Sequence, residues 1–156
     1  MKRSILVLCG VLLAAPSVSF GETETEREVR ETILKSNQHT RETGEIAPDA
    51  ASEHGTVEFW SSGGLMHVLA AGSEPESWDQ FNVRPKHIKV IPLVEGEAAV
   101  AMYYSEGSMK PKGGTAVSHY MTRVTEVYVK ESGKWKVRAA HWSPIAAGSG
   151  TSQTAE

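Results

Sequence analysis

The chain has 156 residues, of which 40% are hydrophobic, and its 16 basic and 19 acidic side chains give a formal net charge of -3. That balance excludes the basic footprint of a nucleic-acid or anionic-membrane binder. A single cysteine, Cys9, excludes an intrachain disulfide framework and thiolate metal clusters.

The first residues read as an address. Lys2 and Arg3 form a basic start, Ile5 to Ala15 an apolar core, and Pro16 to Gly21 a small-residue exit, so residues 1–21 are expected to be a cleaved signal peptide. The apolar run is shorter than the ~20 residues of a spanning helix, and Leu8 before Cys9 is not the small residue a lipoprotein processing site wants. A periplasmic or secreted protein is expected, free of the membrane once the signal is removed. Roughly 135 residues then remain, a single domain held by packing alone.

Glu22 to Thr43 lacks proline and glycine and carries Val29, Ile33 and Leu34 at helical spacing, with Gly44 as a stop signal, which predicts one helix. Ala47 to Gly55 reads as a loop or short helical turn. Thr56 to Ala71 predicts a hairpin interrupted at Ser61-Ser62-Gly63-Gly64. Glu74 to Asn82 predicts a short helix or structured loop. Lys86 to Val94 and Glu97 to Gly107 predict two strands joined at Glu95-Gly96, with Pro92 marking a bulge or an edge. Ser108 to Gly114 reads as a loop, and 146–156 as a disordered tail. The fold class is therefore α+β: a cone-shaped, curved antiparallel sheet with the N-terminal helix packed over its concave face.

The last hairpin is the most informative stretch. Met121, Arg123, Thr125, Val127 and Val129 alternate on one face, and Trp135, Val137, Ala139, His141 and Ser143 on one face of the partner. Pairing Val129 with Trp135 puts Arg123 opposite His141, on the face taken as buried because the other carries Glu126, Lys136 and Arg138.

Arg123-Val124-Thr125, the turn from Lys130 to Lys134, Trp135-Lys136-Val137 and the closing His141-Trp142-Ser143-Pro144 resemble the nuclear transport factor 2-like superfamily, which includes SnoaL-like polyketide cyclases and the association domain of calmodulin-dependent kinase II. The resemblance covers the last two strands well and the rest of 22–145 in element order. It implies a deep pocket between concave sheet and helices, used by enzymes and by non-catalytic binders, and dimerisation through the sheet. The chain departs from the pattern in that its second helix shrinks to a few residues near Pro48.

Arg123 and His141 are accordingly the candidate catalytic pair, guanidinium as electrophile and imidazole as acid or base, and the candidate anchors of an anionic or carbonyl-bearing ligand. His119 and Ser143 share their face; Tyr103 and Trp60 are the candidate apolar lining of the ligand site. Each has a plainer reading, in which the polar groups satisfy one another and the aromatics pack the core. His119 and His141 lack a third ligand at metal-site spacing, so neither metal nor other cofactor is expected. The function expected is exported small-molecule binding. The alternatives are a pocket enzyme of the isomerase, dehydratase or cyclase type, and a homodimeric module whose outer face presents Tyr120, Tyr128 and Trp142.

Overall fold

The computed structural model describes residues 21–145. Residues 1–20 of the expected signal segment, Cys9 among them, and the expected tail 146–156 lie outside the described residues.

Helix α1 spans Glu24–Thr43. Its start is a capping box: Thr23 Oγ1 accepts from the Glu26 amide at 3.2 Å while Glu26 Oε2 accepts from the Thr23 amide at 2.8 Å. Gly44 ends the helix in the left-handed region at φ 76°, and a Cβ there would stand 2.5 Å from the Trp78 carbonyl oxygen, so only glycine fits. Thr25, Val29 and Ile33, four apart, form the buried stripe.

Among the described residues, seven strands follow: β1 (Thr56–Phe59), β2 (His67–Leu69), β3 (Trp78–Phe81), β4 (Arg84–Val94), β5 (Ala98–Pro111), β6 (Val117–Glu131) and β7 (Lys134–Pro144). They form one curled sheet in the order β2-β1-β7-β6-β5-β3, with β4 also paired to β5. All pairings are antiparallel except β1 on β7. The inner face carries α1, through a core of Val29, Ile33, Val90, Ala99, Ala101, Tyr128 and Trp135. The two alanines let the helix sit close to β5.

Pro92 falls beside a register shift on β4, which pairs only with β5, in keeping with an edge position. Three local expectations are corrected. Within Glu74 to Asn82, residues Trp78–Phe81 are a strand, because the far end of β5 supplies a ladder for them. That same extension makes Ser108 to Pro111 strand rather than loop. The β4–β5 turn takes in Glu97, whose amide donates to the Val94 carbonyl.

The terminal hairpin differs from its expected register at two points. Ser132 and Gly133 both have positive φ, 51° and 78°, and form a two-residue loop, so Lys130 rather than Val129 meets Trp135, and Tyr128 meets Val137. Arg138 is then an extra residue, since Val127 pairs with Ala139. Its guanidinium donates to the Gly55 carbonyl at 3.0 Å, which holds the bulge against the preceding loop. The first change puts Tyr128, Glu126 and Val124 on the inner face, not Val129, Val127 and Arg123. The second turns Ala139, His141 and Ser143 outward while Trp135 and Val137 stay inward.

Candidate functional site

The inner face presents a row of residues in direct register across six strands: His67, Glu58, Ala140, Glu126, Ala101 and Val90. Registered neighbours share a face, so Glu58 and Glu126 flank the Ala140 methyl with their backbones about 10 Å apart, two strand spacings.

Glu126 is 6% exposed. Tyr103 and Tyr128 donate their hydroxyls to its Oε2 at 2.8 and 2.7 Å. Burial raises its carboxyl above the ordinary value despite the two hydrogen bonds, and the nearby charge of Glu58 pushes the same way. Burial also holds both tyrosine hydroxyls well above their ordinary value, and the Glu126 charge adds to that. Glu58 accepts from Thr56 Oγ1 at 2.6 Å and from Trp60 Nε1 at 2.7 Å. The Trp60 ring stacks on His67, centroids 3.9 Å apart. Tyr120 meets Ser61 Oγ at 3.0 Å.

Tyr128 joins this cluster to a cleft of about 470 Å³. The cleft floor is Tyr128, Trp135 and Val137; Arg27, Glu31 and Lys35 of α1 form one wall, with Asp49 and Lys134 opposite. It stays open because 46–55 forms turns and no second helix, being tied to β7 by the Ser52 amide on the Val137 carbonyl and the Val137 amide on the Ala50 carbonyl. At its base Glu28 Oε2 accepts from Trp135 Nε1 and Lys130 Nζ, both at 2.7 Å. These bonds, the lysine's first, hold the Glu28 carboxyl below its ordinary value. The rim charges are internally matched: Glu31 pairs with Arg27 and Lys35, and Asp49 with Lys134.

The candidates from sequence separate into two groups. Tyr103 and Trp60 lie on the inner face, bonded to Glu126 and Glu58. Arg123, His141, His119 and Ser143 lie on the outer face. Arg123 pairs with Ser143 and His141 with Thr125, so the expected Arg123–His141 pairing is corrected by the turn and the bulge. Arg123, His141 and His119 are exposed, and the His119 ring meets its neighbour Ser118. Tyr120, Tyr128 and Trp142, expected outside, face inward. Lys136, expected on the wet face, is buried under Glu53 and Glu131.

Glu126, Glu58 and Tyr128 are the site residues that the sequence reading missed. The signal for them was present: Ser132-Gly133 is suited to a two-residue loop, and that loop pairs Lys130 with Trp135, which puts the face of Tyr120, Val124, Glu126 and Tyr128 on the same side as Trp135.

No protein-family model matches the chain, and no curated protein does. Solved structures do. One is a nuclear transport factor 2-like protein of unknown function from Pseudomonas putida, 18% identical, with a TM-score of 0.51 over 78% of this chain and 88% of that one. Another is the association domain of C. elegans calcium/calmodulin-dependent kinase II, 14% identical, with a TM-score of 0.47 over 78% and 99%. A third is a nuclear transport factor 2-like superfamily protein from Salmonella enterica, 16% identical, with a TM-score of 0.45 over 81% and 91%. Helix α1 over the inner face of a curled sheet, together with the Pseudomonas putida match, gives this chain the nuclear transport factor 2-like fold.

Proposed function

We propose that the protein binds a small organic molecule on the inner face of its sheet, in the cleft between α1 and β7. The observation that carries this reading is the cleft itself: about 470 Å³ above an aromatic floor of Tyr128 and Trp135, within the size range of small-molecule sites. A flat apolar body would lie on that floor. The sequence reading drew its anionic preference from Arg123 and His141, which stand on the opposite face; the cleft's own cations already have carboxylate partners. Export belongs to the same proposal, supported by the basic, apolar and small-residue succession of 1–21. Native mass spectrometry of protein from its own source tests the binding. A retained organic ligand, lost when Val137→Trp fills the floor, is the expected result; protein that carries no ligand and gains no thermal stability from any member of a broad metabolite panel would overturn it.

A second reading, self-association through the outer face, is favoured by its exposed apolar side chains. Phe59, Met102 and Tyr104 are 45%, 49% and 44% exposed and stand in register with His141, Thr125 and Arg123. A dimer closing on this face would bury them together. Sedimentation should show a dimer that Met102→Glu dissociates; a monomer at high micromolar concentration removes this reading.

A further inference from the structure

We infer that the outer face of the sheet, from β4 across to β7, is a docking surface for an extended acidic segment of another protein that also carries apolar side chains. It does not depend on the cleft, which lies on the inner face.

Register across the strands assembles the charges. Lys86, Tyr104, Arg123 and Ser143 stand side by side from β4 to β7, with Lys89, Met102, Thr125 and His141 in the next outward row. Arg84 lies beyond Lys86, opposite Glu106. A regular β4 would give Lys86 the face of Ile88 and Val90, which pack into the core beneath α1. The bulge at His87, a non-glycine residue at φ 54°, turns Lys86 outward instead and sets the His87 ring edge-on to Tyr104, centroids 6.2 Å apart.

Four permanent cations, Arg84, Lys86, Lys89 and Arg123, thus share one face of a chain whose formal net charge is -3. Glu106 is the carboxylate among them and is held by Lys86. Arg84, Lys89 and Arg123 make no salt bridge among the described residues, whereas the cations around the cleft have carboxylate partners. Lysines on an edge strand discourage pairing with other chains, which accounts for Lys86 and Lys89. Arg123 stands on β6, two strands in, where no edge needs guarding.

The neighbouring side chains select the kind of anion. Met102, Tyr104 and Met121 are exposed between the cations, so a phosphate or sulfate chain would lay charge on apolar surface. A long polyanion would also run past this band onto an acidic protein. A second copy closing on the same face would set these cations against their own kind, so of the two occupants the charges favour the acidic segment. In an extended segment alternate residues lie about 7 Å apart on one side, and the Lys86 and Arg123 backbones are two strand spacings, about 10 Å, apart, within reach of both long side chains. Carboxylates alternating with apolar side chains on that side meet the cations and the exposed methionines together.

Three peptides, acetylated and amidated, test this by calorimetric titration at low salt: ESLSESLSE, its leucine-free form ESSSESSSE, and its charge-reversed form KSLSKSLSK. The expected result is saturable binding of the first, at least tenfold weaker for the other two and at least tenfold weaker in the double variant Lys89→Glu, Arg123→Glu. Both substituted side chains are exposed, and a melting curve checks that the variant folds. In about 0.5 M sodium chloride the unsubstituted protein should lose the binding by the same margin, a measurement that needs no variant. No binding of ESLSESLSE, equal binding of either control, or binding unchanged in the double variant or in salt would each overturn the inference. A dimer that Met102→Glu breaks and the peptide does not would overturn it in favour of a second copy. Val137→Trp, which fills the cleft, should leave peptide binding intact; a loss there would place the peptide in the cleft and overturn it too.

Discussion

Glu28 and Glu126 each receive two hydrogen bonds on one carboxylate oxygen, yet their acidities move in opposite directions. Glu28 has a lysine and an indole as donors, at the solvent-facing base of the cleft. Glu126 has two phenols, a second carboxylate nearby and, among the described residues, no cation paired with it. The number of hydrogen bonds therefore does not by itself set the direction in which a carboxyl's acidity moves in this protein. Water access and a neighbouring cation set it, and they differ because α1 and β7 meet around Glu28 while the sheet curls over Glu126.

The largest effect should come from removing what holds the Glu28 end together. Trp135→Ala deletes a core ring as well as the indole donor, and should cost about 3–5 kcal/mol in chemical denaturation; a loss under about 1 kcal/mol would mean that the cleft floor does not rely on it.

A moderate effect separates the two carboxylates by pH. The Glu28 carboxyl lies below its ordinary 4.5, so its stabilising contribution is present above 4.5 and is lost as pH falls through the lowered value. The Glu126 carboxyl lies above 4.5, so its contribution is full below 4.5 and is lost as pH rises through the raised value. Relative to the unsubstituted protein, Glu126→Gln should therefore gain stability as pH rises, and Glu28→Gln should lose it. Melting temperatures across pH 3 to 8 check this, and parallel curves for the two variants would erase the contrast.

The smallest effect is expected on the outer face. Arg123 is exposed, and Arg123→Ala should change stability by no more than about 0.5 kcal/mol. A larger change that grows with protein concentration would place the guanidinium in a contact between copies.

What could be read from the chain follows the range of the interactions involved. Thr23, Glu26 and Gly44 act within a turn of the helix, and its end appeared where expected, its start within two residues. The β1–β2 and β4–β5 hairpins likewise pair residues close in sequence, so local pattern and turn chemistry located them. Strand β3 was misread because its partner lies on the far end of β5, some thirty residues on.

The site depended on which face of β6 turns inward, and the chain alone is ambiguous there. Val124, Val127 and Val129 put apolar residues on both faces, so alternation could not choose between Arg123 and Glu126. By itself, then, the sequence determined the helix, most of the strands, and a resemblance whose fold the structure bears out. Tertiary structure decided the site. The tight Ser132-Gly133 loop and the Arg138 bulge, anchored on Gly55 more than eighty residues earlier, set which side chains α1 covers; a one-residue change of pairing exchanges the two faces of a strand, and only long-range packing selects between them.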